Sequence, residues 1–278
     1  MRIDAHHHVW DLEVRDQPWT AGIPALRRSF TLEDLEPALR RHAIDATVLV
    51  QTVCVAQETP ELLALAAAEP VIAGVVGWVD LTAPDVSDAI AALRESPGGE
   101  RLVGIRHQVQ EEPDHRFLVR ADVRRGLRAV AEAGLVYDLL VRPHQLPAAV
   151  TAVQAVPELR FVLDHAGKPV LDGPPSAKWP AAIDGLAARP NVTVKLSGLT
   201  SEAPAGWNEE MLAPFVERLL TRFGPERMMF GSDWPVCLLG GGYDRTIAAA
   251  EALTAELAPH ERDLVFGEVA MSVYGLGR

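Results

Sequence analysis

Residues 46–78, ATVLVQTVCVAQETPELLALAAAEPVIAGVVGW, decide the fold. They contain two short runs dense in Val, Ile and Leu, Ala46 to Val53 and Val71 to Trp78, and the segment between them reads as a helix. Continuous apolar runs of this length are characteristic of buried parallel strands, whose two faces are both covered. The same unit recurs along the chain. Further strand candidates are Met1 to His8, Leu102 to Gln108, Val136 to Val141, Arg160 to His165, Val192 to Leu196 and Met228 to Asp233. Strand and helix alternating about eight times predict an α/β fold, a TIM (β/α)8 barrel formed as a single domain over residues 1–278. The alternative is an open doubly wound sheet. Against it, no Gly-rich dinucleotide turn follows the first strand. Gly240-Gly241-Gly242 lacks the spacing of a phosphate loop and reads as a flexible loop.

The intervening helices have readable ends. Thr31 is placed as an N-cap, with Asp34 three residues on and Leu32, Leu35 and Leu39 at helical spacing. Asp122 to Ala133 puts Val123, Leu127 and Val130 on one face, and Gly134 stands where a helix stops. Glu209 to Phe223 carries Leu212, Phe215, Val216, Leu219 and Leu220 before Gly224-Pro225.

Composition narrows the function classes. The chain has 278 residues, 48% of them hydrophobic, which is enough for one large core, and no linker divides it. Its net charge of −12 argues against nucleic acid and anionic membranes as partners and leaves a small-molecule substrate as the expected one. Cys54 and Cys237 have no metal-site spacing and read as two reduced, buried thiols. The N-terminus MRIDAHHHVWD lacks the apolar stretch of a signal peptide, and the longest apolar run, Val71 to Val79, is too short to span a bilayer. A cytoplasmic location is the expectation. The oligomeric state is open, a homodimer included.

The positions of the polar residues carry the chemistry. Catalytic groups of such barrels sit at the C-terminal ends of the strands, and here nearly every strand exit is polar. The first carries His6, His7 and His8, the second Gln51, the third Trp78 and Asp80, and the fourth Arg106 and His107. Arg142 and His144 follow the fifth, Asp164, His165 and Lys168 mark the sixth, Lys195 and Ser197 the seventh, and Ser232 and Asp233 the eighth. Strand alternation places His6 and His8 on one face with Asp4, His165 with Phe161 and Leu163, and Asp233 with Gly231 and Met229. If those faces line the barrel, three imidazoles and a carboxylate converge, a set suited to Zn²⁺ or a similar divalent ion. Arg106, Arg142 and Lys168 suggest recognition of an anion, a carbonyl oxygen or hydroxyls, with pairing to Asp80, Asp138 or Asp164 as the structural alternative. Gln51, Trp78, His107 and His144 join them as candidate substrate contacts, and Trp234 as a second ring that can stack on a sugar. No Ser occupies a G-x-S-x-G elbow, which argues against a serine esterase.

Several longer motifs extend this reading. DAHHHVWD, QPW with LRRSFTLEDLEP, GVVGWVDL, LVGIRHQVQEEPDHRFL, YDLLVRPHQL, FVLDHAGKP, VKLSGL and MFGSDWPVCLL together resemble the amidohydrolase-related family of metal-dependent hydrolases, most closely its sugar-lactonase branch of the L-fuconolactonase, L-rhamnonolactonase and sulfomuconolactonase types. The resemblance runs from Met1 to Leu276 and implies a distorted TIM barrel. It also implies that His6, His8, His165 and Asp233 are the metal ligands. No Lys or Glu closes the fourth strand, where binuclear members keep a bridging ligand, so one divalent ion, with zinc favoured, or a metal-independent reaction is implied. The expected activity is hydrolysis of a small sugar-acid lactone. Asp233 is then the general base and His165 its catalytic neighbour. Decarboxylation of a small unsaturated or aromatic acid is the alternative. A non-catalytic binding barrel and a two-metal amide or phosphoester hydrolase are further readings.

Overall fold

The computed structural model describes residues 1–175 and 178–277. Eight parallel strands run in sequence order: β1 (Ile3–His7), β2 (Ala46–Val50), β3 (Ile72–Gly77), β4 (Leu102–His107), β5 (Val136–Leu139), β6 (Arg160–Leu163), β7 (Val192–Leu196) and β8 (Met228–Phe230). Each overlaps one of the strands expected from the sequence. The last closes on the first through a single bridge between His7 and Trp234, where Asp233 N–H donates to His6 O (2.8 Å) and His8 N–H to Trp234 O (2.7 Å). Consecutive strand order and this closure give a distorted (β/α)8 barrel and rule out the open doubly wound sheet.

The helices are α1 (Leu32–Arg41), α2 (Glu58–Ala68), α3 (Val86–Glu95), α4 (Ala121–Glu132), α5 (Leu146–Ala155), α6 (Lys178–Ala187), α7 (Leu199–Glu202), α8 (Glu209–Phe223), α9 (Tyr243–Leu253), α10 (Pro259–Asp263) and α11 (Val269–Tyr274). Their ends follow local chemistry. Thr31 N–H donates to the Asp34 carboxylate at 3.1 Å before α1, and Asn208 Oδ1 accepts from Met211 N–H at 3.2 Å before α8. The Gly240–Gly242 run is more ordered than expected. It closes a 3-10 turn and leads into α9, with Gly241 and Gly242 at positive φ.

Two apolar layers result. Leu49, Val75, Ile105, Tyr137, Phe161 and Leu163 pack outward against the helices. Val48, Val50, Val76, Val136, Val162 and Met229 fill the barrel, where Val269, Ala270, Tyr274 and Leu276 join them. That C-terminal segment plugs the end where the strands begin, as its contacts with Gly74 and Arg160 show. The other end, where the strands stop, is left for polar side chains. Of the connections 14–28, 110–116 and 171–178, which follow β1, β4 and β6, the first contains two 3-10 turns, and the second overlaps another. Residues 176 and 177 of the third, 171–178, lie outside the described residues. No helix among the described residues is long and apolar enough to cross a membrane.

Candidate active site

Four of the polar exit residues meet. His8 Nε2 lies 3.5 Å from Asp233 Oδ1, and the Nε2 atoms of His6 and His165 each lie 3.8 Å from that oxygen. His6 and His8 approach to 3.2 Å through their Nε2 atoms. All four side chains are buried.

Irregular backbone makes this meeting possible. Between Asp4 and His7, β1 spends three steps where β2 spends two, from Thr47 to Leu49, so β1 carries one extra residue. The bulge moves His6 to the inner face beside Ala5. Asp4 faces the other way, accepting from Tyr243 of α9 (3.2 Å) and from Ser232 N–H (2.8 Å), and so does not share the face of His6 and His8 as alternation predicts. Alternation also fails at His165. Its expected companions Phe161 and Leu163 belong to the outer layer, but β6 stops at Leu163 and His165 turns inward at φ 52°. β8 stops at Phe230, and Asp233 stands beyond it at φ 58°. Among the described residues five non-glycines have positive φ, and His165, Ala166, Lys168 and Asp233 are four of them. Each such residue costs of the order of 1–2 kcal/mol, so strain is concentrated at the site.

Two glycines leave room for the imidazoles. A Cβ at Gly231 would lie 2.7 Å from His6 Cβ. One at Gly198, itself at φ +68°, would lie 2.6 Å from the His165 ring. These are the glycines of GSDW and KLSGL.

Hydrogen bonds orient the rings. His8 Nδ1 donates to Val50 O at 2.7 Å, which leaves Nε2 bare toward the cluster, and His165 Nδ1 pairs with Ser197 Oγ at 2.9 Å. Burial pushes the His165 imidazole down to about 4 and His6 well below its ordinary value, so both are neutral near pH 7. Burial alone would raise Asp233, but the neighbouring His165, His8 and His6 outweigh it and hold the carboxyl well below the usual range. Neutral imidazoles around an ionised carboxylate are the donor state a divalent cation requires. The spacing also fits. Two donors about 2.0–2.1 Å from a tetrahedral ion stand roughly 3.3 Å apart, close to the 3.2 Å between His6 and His8. Among the described residues His6, His165 and Asp233 form a group able to hold a metal ion, and His8 adjoins it.

The remaining expected site residues surround the cluster or lie farther out. Gln51 and Arg106 are buried against each other and the cluster. Arg106 NH2 donates to Gln51 O (2.5 Å), while NH1 reaches Asp164 (3.1 Å) and His6 Nε2 (3.2 Å). Trp78 Nε1 donates to His107 Nδ1 (3.0 Å), His107 Nε2 donates to Glu112 (2.7 Å), and the His107 ring stacks on Phe117. Arg142 is half-exposed, 3.6 Å from Glu111, and His144 rests on His115. Lys168 pairs with Glu202 at 2.8 Å and shares with Arg142 a cleft of about 310 Å³. Trp234 is buried and packs T-shaped against Phe30. Cys237 is buried, but Cys54 is only half-buried.

Sequence reasoning left Asp138, Asp164, Lys195 and Tyr274 outside the site. Lys195 Nζ lies 2.6 Å from Asp138, 3.0 Å from Asp164 and 3.1 Å from His6 Nδ1, and the Tyr274 hydroxyl donates to Asp138 (2.8 Å). The available signal was a Lys and two Asp inside apolar strands, where charge is seldom placed unpaired.

Known proteins resemble this chain along nearly its whole length. The chain is 40% identical to an L-fucono-1,5-lactonase of Burkholderia multivorans, covering 99% of this chain and 96% of the relative. It is 37% identical to an L-fucono-1,5-lactonase of Burkholderia ambifaria, covering 100% and 96%. An amidohydrolase from Burkholderia multivorans solved with bound zinc superposes with a TM-score of 0.94 at 39% identity, covering 99% of both chains. A family profile described as Amidohydrolase matches residues 3–276. With that match over a closed barrel whose mouth gathers three imidazoles and an aspartate, the chain belongs to the amidohydrolase family.

Proposed function

We propose that the chain is a lactonase that hydrolyses the ring ester of a small sugar-acid lactone, with L-fucono-1,5-lactone the first substrate to test. The observation that carries the reading is the buried Asp233 carboxylate, ringed by three imidazole nitrogens at 3.5–3.8 Å, in a chain 37–40% identical to L-fucono-1,5-lactonases.

In this reading Asp233 Oδ1 takes a proton from water as the water oxygen attacks the ring carbonyl. The tetrahedral anion then collapses, the bond from the carbonyl carbon to the ring oxygen breaks, and Asp233 returns the proton to that oxygen. The products are a hydroxyl and a carboxylic acid, which loses its proton to solvent. His6, His8, His165 and Asp233 would hold a divalent ion, zinc being the first candidate, and such an ion supplies Lewis acidity at the reacting carbonyl. His165 and His8, fixed through Ser197 and Val50, keep the carboxylate ionised and oriented. Arg106 has both terminal nitrogens engaged by protein groups, so its part is to brace Gln51 and His6 rather than to grip substrate. Trp78 and His107 spend their ring nitrogens on each other and on Glu112, so Lys168 and Arg142 in the outer cleft are left to meet substrate hydroxyls.

The test is acid release from a panel of 1,4- and 1,5-aldonolactones, run beside CO₂ evolution from unsaturated and aromatic acids. Ring opening of at least one sugar lactone without CO₂ formation is expected. CO₂ evolution with every lactone intact would replace this reading by decarboxylation.

A further inference from the structure

Two short backbone devices place a charged pair beside His165. His165, Ala166, Gly167 and Lys168 all have left-handed φ and make one left-handed turn, closed by Lys168 N–H donating to His165 O at 2.8 Å. From the next exit, Gly198 packs against the His165 ring and starts α7, which ends at Glu202. The Lys168 ammonium and the Glu202 carboxylate meet at 2.8 Å. Lys168 is mostly covered, so water and salt screen this pair less than one on the open surface.

Both residues line the cleft of about 310 Å³ that also holds Arg142 and Asp172. Arg142 has its own carboxylate, Glu111, at 3.6 Å. Among the described residues of the cleft each cation is therefore matched by an acid, and Asp172 is left in excess. A substrate carboxylate entering here must displace Glu202 from Lys168 or sit against acids of its own sign. A hydroxyl meets no such cost, because it accepts from the ammonium and donates to the carboxylate of the same pair. The net charge of −12 on the whole chain adds to the bias against anions.

We infer that Glu202 is a specificity-determining residue: by neutralising Lys168 it directs the cleft to lactones with uncharged, hydroxyl-bearing substituents and turns away those that carry a carboxylate substituent. Glu202 acts through Lys168 and takes no part in the bond changes. The inference rests on the lactonase reading and adds to it the charge of the substrate and the residue that sets it.

The test measures kcat/KM of the full chain on the best lactone of the panel and on the analogue that carries a carboxylate at its last carbon. Wild type is expected to favour the uncharged lactone about tenfold or more, and by less in about 0.5 M NaCl, which screens charge. Glu202→Gln is expected to lower that preference about tenfold by raising kcat/KM on the anionic analogue, and Glu202→Asp to keep most of it. Equal kcat/KM on the two lactones in wild type overturns the inference and leaves a lactonase standing. So does a folded Glu202→Gln whose preference is unchanged. A wild-type chain that opens no lactone of either charge removes the lactonase reading and the inference together.

Discussion

At the β1, β6 and β8 exits, side chains from distant parts of the sequence converge within 4 Å of one carboxylate oxygen. At the β3, β4 and β5 exits the side chains are just as polar, yet they settle into neighbouring pairs: Trp78 with His107, His107 with Glu112, Arg142 with Glu111 and His144 with His115. The difference lies in the backbone. The converging half breaks strand regularity with a bulge at His6 and left-handed residues at His165 and Asp233. The pairing half also shifts register, between Val75 and Val76 of β3 against β4, but among the described residues none of its exits carries a left-handed non-glycine residue. A polar strand exit becomes part of a shared centre here only where the chain accepts strain to aim it.

The strongest way to break this comparison is to remove the group on which the imidazoles converge. Asp233→Asn keeps the shape and removes the base, and kcat/KM on the best lactone is expected to fall by at least about two orders of magnitude. Near wild-type turnover would return Asp233 to a structural role.

The backbone claim is tested next. Gly198→Ala introduces a methyl 2.6 Å from the His165 ring at a positive φ. It is expected to cost about 1–3 kcal/mol of stability and to lower kcat about tenfold or more by misplacing His165. Gly134→Ala, also at positive φ but with open space around its Cβ, is the control, expected to lose stability and keep kcat. Equal kcat losses in the two would mean that closeness to His165 is irrelevant.

This contrast also marks what the sequence made legible. All eight strands could be read from apolar runs because each is covered on both faces. Alternation located the inner face correctly for Asp233, but it grouped Asp4 with His6 and would have turned His165 outward. A bulge and a left-handed turn are single-residue events with no periodic signature. The Lys195 network was obscured for a related reason. Its members come from β1, β4, β5, the exit of β6, β7 and α11, so only the closed barrel brings them together, and the sequence names no partner for any one of them.

Burial gives a pH test of smaller size. Burial lowers His7 to about 3, whereas the unfolded chain protonates it near the ordinary 6.5. The unfolded state then binds the extra proton across that window. The stabilisation from His7 is complete above pH 6.5 and is lost as pH falls toward 3. In chelator, His7→Asn is expected to flatten the rise in urea-unfolding free energy between pH 4 and pH 7 by a few kcal/mol at most. An unchanged slope would show that His7 is not held neutral.

The smallest effect belongs to the outer cleft that Arg142 and Lys168 share. Lys168→Ala and Arg142→Ala are expected to raise KM a few-fold, about 1 kcal/mol for a lost hydrogen bond, with kcat nearly unchanged. A large fall in kcat would move these cations into the reacting centre and erase the distinction between the halves.

Anomalous diffraction at the zinc edge, from crystals grown with zinc, tests the convergence of the four side chains most directly. One peak is predicted, about 2.0–2.2 Å from His6 Nε2, His165 Nε2 and Asp233, with His8 beside it. Two peaks at the barrel mouth, or a zinc ion bound away from these residues, would contradict it.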